Sequence, residues 1–202
     1  MAKEGKARII EAALRVISRS GIAGATMRGI AEEAGMSTGA IYHYYTSKEE
    51  ILYAVMDESL SVSKRIAEEV QQGKRSRDEF LDEIHGNILL RFEKSEENRL
   101  QFYLAQESML GNEELREKFK AKYKEWISRT EELIANLYGS RQSRLNHAFA
   151  SLLIGAIDGM VLQILLGANT ATSEDIAEVY HLILRDGIPK FLVYLNRQEE
   201  QA

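Results

Sequence analysis

The stretch MRGIAEEAGMSTGAIYHYY, residues 27–45, gathers side chains suited to a polar, anionic partner. Thr38, Gly39, Ala40, Tyr42, His43 and Tyr44 follow closely on Ser37. Their hydroxyl and imidazole groups can donate to phosphate oxygens or reach base edges. Gly39 and Ala40 keep the segment slim, which suits a major groove about 12 Å wide. Thr26 and Arg28 stand where a supporting helix would begin, and Lys48 heads another. Backbone N–H groups at such helix starts favour phosphate. The chemistry implied is non-covalent recognition of nucleic acid. No nucleophile–base pattern, paired-carboxylate signature or glycine-rich phosphate loop stands out, so no enzymatic activity is expected. His85, His147 and His181 have no metal-ligand spacing, and there is no cysteine, so neither a metal nor a cofactor is expected.

These residues need helices to hold them, and the apolar spacing is helical almost throughout the 202 residues. Ile10, Ala13, Leu14 and Ile17 form a first stripe. Thr26 can cap a short second helix that ends at Gly35. Ser37 can cap a third, running to about Tyr45. On it Ile41 and Tyr45 are one turn apart and point inward, which leaves Thr38 with Tyr42, and Gly39 with His43, outside. Ala31 and Gly35 meet the small-residue and turn requirements of a helix-turn-helix. Ser47 and Glu50 form a capping box for a fourth helix from Lys48 to about Gln71. Further helices are expected after Ser76, over about Leu100–Met109, after Asn112, over about Ser143–Leu166, and from Thr172/Ser173 through Leu195 without a break.

The net charge is −5, and it is uneven: residues 1–50 carry seven Lys/Arg against six Asp/Glu, so the excess acid lies in the remainder. A less acidic head on an acidic body permits a local nucleic-acid surface. The absence of cysteine and the charged start MAKEGKARII fit a reducing cytoplasm. The most apolar run, SLLIGAIDGMVLQILLGA, carries Asp158 and Gln163, so it is expected to be a buried or interface helix and not a membrane span.

The ordered set IIEAALRVISRSGIAGATMRGIAEEAGMSTGAIYHYYTSKEEIL resembles the TetR family of bacterial transcriptional regulators. The resemblance covers about a quarter of the chain. It implies an all-α fold, with a helix-turn-helix head over residues 1–50 joined by a long helix to a ligand-binding and dimerisation body over 51–202. It also implies a homodimer on a palindromic operator in double-stranded DNA, released by a small-molecule effector. On this reading Thr26, Arg28, Thr38, Gly39, Ala40, Tyr42, His43, Tyr44 and Lys48 contact DNA. Aromatic and polar side chains in the body, His85, Ile88, Phe92, Phe102, Tyr103, Gln106, Tyr123, Trp126 and Asp158, are candidates for the effector site. Broad apolar stripes put Phe149, Leu152, Leu153, Ala156, Ile157, Met160, Ile183, Ile188 and Phe191 at a dimer interface. The alternative is a ligand-binding or protein-interaction scaffold whose head does not bind DNA specifically.

Overall fold

The computed structural model describes residues 2–60, 76–139 and 143–200. Among them there are helices and connecting turns and no strand. The helices are α1 (Ala2–Gly24), α2 (Met27–Glu33), α3 (Thr38–Tyr42), α4 (Lys48–Leu60), α5 (Arg77–Glu93), α6 (Ser95–Met109), α7 (Glu113–Tyr138), α8 (Arg144–Leu165), α9 (Ser173–Leu182) and α10 (Ile188–Glu200). The described residues fall into two compact units: 2–60 with 96–119, and the remainder.

In the first unit, α1 packs on α2 and α4, and α2 on α3. The sequence dictates this through its apolar stripe: Ile9, Ala12, Ala13, Val16 and Ile17 are buried with Ile30, Ala31, Ile41, Ile51 and Leu52. The caps follow the sequence. Thr26 accepts from the Gly29 N–H at 3.0 Å, and Ser37 from the Ala40 N–H at 3.1 Å. Each satisfies a helix-start donor that would otherwise lack a partner. The third helix is shorter than its pattern suggests, because Tyr44 and Tyr45 lie beyond its last turn. The box at the start of α4 is also displaced. Ser47 caps the Glu50 N–H at 3.1 Å, but the Glu50 carboxylate accepts from Thr46, one residue earlier, at 2.7 Å from its N–H and 3.0 Å from its hydroxyl. The expected continuation of α4 to Gln71 lies outside the described residues. The helix expected from Leu100 begins earlier, at Ser95.

In the second unit, Leu81, Ile134, Leu153, Leu184, Ile188 and Leu192 form the core. Ser76 and Glu79 make the reciprocal capping box the sequence implies. The expected unbroken helix through Leu195 is interrupted. Residues Ile183–Gly187 form a π-helical turn between α9 and α10. Pro189 is the cause: it has no N–H, and its ring would meet the carbonyl four residues back. Two carbonyls lose their donor, and both find another. The Tyr138 hydroxyl donates to the Leu184 carbonyl, and the Arg77 guanidinium to the Arg185 carbonyl at 2.6 Å. Arg77 also lies over the Tyr138 ring, 4.9 Å from its centroid. Burial pushes the Tyr138 phenol up to about 12, against the opposing charge of Arg77.

By length and composition α8 is apolar enough to cross a membrane, yet little of it is buried within the chain. Its exposed side chains include Leu152 and Leu162, and those of α9 and α10 include Val179, Phe191, Val193 and Tyr194.

Candidate nucleic-acid interface

The outward side of α3 is built by subtraction. Ile41 and Tyr45 are buried, which leaves Thr38, Gly39, Tyr42 and His43 exposed. Tyr42 is 52 % exposed, which is large for an aromatic side chain without a partner role. A Cβ on Gly39 would meet nothing nearer than the Ser37 hydroxyl oxygen at 4.0 Å, so the space in front of α3 is open. Ala40 is half-buried. Tyr44 is half-buried against α1: a Cβ on Gly5 would stand 2.5 Å from its hydroxyl. Gly5 is thus the residue that lets α1 and the end of α3 approach.

The flanking residues divide. Thr26 is exposed and already caps α2. Arg28 pairs with Glu32 one turn on, at 2.8 Å, with its side chain 82 % exposed. Such an exposed pair contributes little, so a phosphate can compete for the guanidinium. Lys48 opens α4 and is half-buried.

Three arginines that sequence reasoning passed over hold this head together. Arg8 donates to the Gly35 carbonyl at 3.1 Å. Gly35 makes the turn between α2 and α3 with φ +61°, a conformation that costs glycine nothing. Arg15 and Arg19 converge on Glu33 at 2.7 and 3.1 Å. Their hydrogen bonds hold the Glu33 carboxyl below its ordinary range. Basic residues on the first apolar helix were visible in the sequence. Nothing in their spacing announced partners on α2.

A family model described as "Bacterial regulatory proteins, tetR family" matches residues 9–55, which run from within α1 into α4. This head belongs to the tetR family. The tetR-type segment is 45 % identical over 56 residues to the transcriptional regulator TtgR of Pseudomonas putida, covering 28 % of this chain and 27 % of TtgR. It is 48 % identical over 48 residues to PksA of Bacillus subtilis, 24 % of this chain and 23 % of PksA. The chain therefore aligns with only about a quarter of the length of these curated relatives. Solved structures extend the likeness of fold beyond the tetR head. FadR of Bacillus subtilis, in complex with stearoyl-CoA, superposes with a TM-score of 0.66 at 24 % identity over 89 % of this chain and 97 % of FadR. A regulator from Saccharomonospora viridis in complex with choline gives a TM-score of 0.63 at 21 % identity over 91 % of this chain and 97 % of that one. The all-α architecture with an N-terminal helix-turn-helix is that of tetR-type regulators.

The residues suspected of holding an effector are distributed over both units. Phe102, Tyr103 and Gln106 lie on α6 in the first, where Gln106 is exposed. Burial raises the Tyr103 phenol, with Glu107 and Glu49 adding to the shift. The others lie in the second unit, with Ile88 and Phe92 buried. There Tyr123 donates to Asp158 at 2.6 Å and its ring meets Trp126 edge-on at 5.2 Å. Arg91, which the sequence did not single out, stands 3.7 Å from the same carboxylate. His85 packs on His181 with ring centroids 5.3 Å apart, and its Nε2 is 4.0 Å from Glu178. No three His, Cys, Asp or Glu side chains among the described residues are arranged to hold a metal.

The suspected interface residues also separate. Leu153 and Ile188 belong to the core of their own unit. Phe149 packs on Phe191 at 5.1 Å. Leu152 is 71 % exposed beside the exposed Ala156, and both line a shallow groove along α8 with Arg144, His147, Ala148, Ser151 and Gly155.

Proposed function

We propose that the protein is a ligand-responsive transcriptional regulator that binds a palindromic operator in double-stranded DNA as a homodimer, represses there, and is released by a small-molecule effector. The observation that carries this reading is the open outer face of α3, with Tyr42 and His43 exposed on a tetR-type head. A head kept only as structure has no need of it. Thr38, Gly39, Tyr42 and His43 enter the major groove, and Thr26, Arg28 and Lys48 hold phosphates. Ala40 lets the backbone approach, and Tyr44 fixes α3 against α1. Two such heads reach successive major grooves about 34–36 Å apart, which one head cannot do.

The second copy covers the exposed apolar side chains of α8 and α10, among them Leu152, Phe191 and Tyr194. Leaving so many large apolar groups in water is uncommon for a monomer. Asp158 in mid-helix, held by Tyr123, suits a protein surround better than lipid. For the effector, the stearoyl-CoA and choline carried by the two fold relatives support a small organic molecule. Tyr123, Trp126 and Asp158 are its first candidate contacts. The work is non-catalytic and cytoplasmic.

Footprinting of the purified protein on fragments of its own genome, at two salt concentrations, tests the reading. A protected palindrome whose affinity falls with salt is expected. A folded dimer, free of copurified small molecule, that protects no site would overturn it in favour of a scaffold.

A further inference from the structure

Glu50 is placed to do two jobs at once. One carboxylate oxygen, Oε2, accepts from the N–H and the hydroxyl of Thr46 at 2.7 and 3.0 Å. Those bonds close the turn that leads out of α3, next to the buried Tyr45. The other oxygen, Oε1, faces the Lys118 ammonium on α7 at 3.3 Å. Both side chains are about three-quarters buried, with 28 % and 27 % of their surface exposed. Lys118 is itself held in place. Its ammonium reaches Glu114 one turn earlier at 2.7 Å and lies over the Tyr53 ring at 5.7 Å from the centroid. Its backbone carbonyl accepts from the Tyr53 hydroxyl at 3.1 Å. The Tyr53 ring in turn meets Phe119 edge-on at 5.8 Å. Burial pushes the Glu50 carboxyl up, but the Thr46 hydrogen bonds and the Lys118 charge outweigh it and leave the carboxyl below its ordinary range.

We propose that Lys118 is a positioning residue for operator binding: through Glu50 it sets the Thr46 turn, and so the presentation of α3, without touching DNA. This rests on the reading of the head as an operator-binding one. A half-screened ion pair contributes little to folding. Its value here is directional, because the carboxylate it orients is the one that closes the turn. The bond network asks for a cation at 118 and a carboxylate at 50, whereas the cap alone asks only for an acceptor at 50.

Three variants separate these demands: Lys118→Met, Glu50→Gln, which keeps the capping acceptor, and the two combined. Operator affinity and its salt dependence are measured for each, together with hydrogen exchange of the Tyr44–Ile51 amides in the free protein. Each single variant should weaken operator binding by about three- to fivefold, the scale of one such pair. The double variant should be no weaker than either, as for two members of one pair. Lys118→Arg should restore affinity, and the salt slope should not change. Free-protein exchange at Thr46 and its neighbours should quicken. Unchanged affinity in Lys118→Met, or additive losses, would overturn the proposal. A salt slope reduced by about one would also overturn it, because Lys118 would then be a phosphate contact. If the unaltered protein binds no operator, the functional reading fails on its own. The exchange rates then decide the positioning role: faster amides uphold it, and unchanged ones refute it.

Discussion

The Arg77 guanidinium caps the backbone carbonyl of Arg185 at 2.6 Å, across 108 residues of chain. That carbonyl is the one an α-helix would have paired with the missing N–H of Pro189. Replacing Arg77 with alanine therefore returns the carbonyl to water or leaves it unpaired. The expected loss is about 1 kcal/mol, or a fall of roughly 3 °C in Tm for a chain of this size. Thermal melting followed by circular dichroism checks it. Arg77→Lys should recover part of the loss.

Gly39 offers a clean test of groove entry. Nothing in the head crowds a side chain there, so Gly39→Leu should fold and melt normally. It should nevertheless abolish specific operator binding in a mobility-shift titration. Retention of tight binding would mean that α3 does not enter the groove at this residue. Tyr42→Ala should cost about 1 kcal/mol of binding, near fivefold in Kd, with no change in melting.

Adjacent residues on α8 should behave oppositely. Leu152 is 71 % exposed and Leu153 only 8 %. Leu152→Glu should leave helix content intact and shift the protein to monomer in sedimentation. Leu153→Glu should unfold the unit, because a buried unpaired charge costs several kcal/mol. A Leu152→Glu protein that stays dimeric at micromolar concentration would remove this face from the interface.

The Asp158 carboxylate serves Tyr123 and Arg91 together. Tyr123→Phe removes one donor and should cost about 1 kcal/mol. Asp158→Ala removes the acceptor of Tyr123 together with a charge 3.7 Å from the largely buried Arg91 guanidinium, and should cost more, about 2 kcal/mol. Urea titration of the two variants gives the ranking directly, and a reversed order would refute it.

Alkali should loosen the second unit through Tyr138. Its folded phenol is pushed up to about 12 from 10.0. The folded state therefore disfavours the phenolate that the unfolded chain forms more readily. The stability is fully present below about pH 10 and is lost as pH rises from there through about 12. Urea midpoints measured across that range should fall, and Tyr138→Phe should lessen the decline without abolishing it, because burial pushes the Tyr180 phenol of the same unit up as well.

The sequence made the tetR-type head legible because its signals are local. Thr26 and Ser37 cap where expected, Gly35 turns the chain, and Ile41 and Tyr45 face inward. Local rules also gave most helix starts, including the Ser76–Glu79 box. What escaped was long-range pairing. Arg91 meets Asp158 and Lys118 meets Glu50 across many helical turns of intervening chain, and no spacing rule connects them. That the Glu50 carboxylate takes its donors from Thr46, while Ser47 keeps the cap, escaped for another reason: both residues carry a hydroxyl and an N–H, and only geometry chooses between them. The break before Pro189 was in plain view as a proline, yet a strong apolar stripe outweighed it.

A π turn holds one residue more than the α turn it replaces. The stretches on either side of Ile183–Gly187 are therefore out of step by one position, about 100° on a helical wheel. In hereditary terms the segment behaves as a one-codon insertion absorbed where it occurred. The same arrangement makes these five residues the place in the last helices where the chain best tolerates losing one: the turn would tighten, and everything downstream would keep its aim.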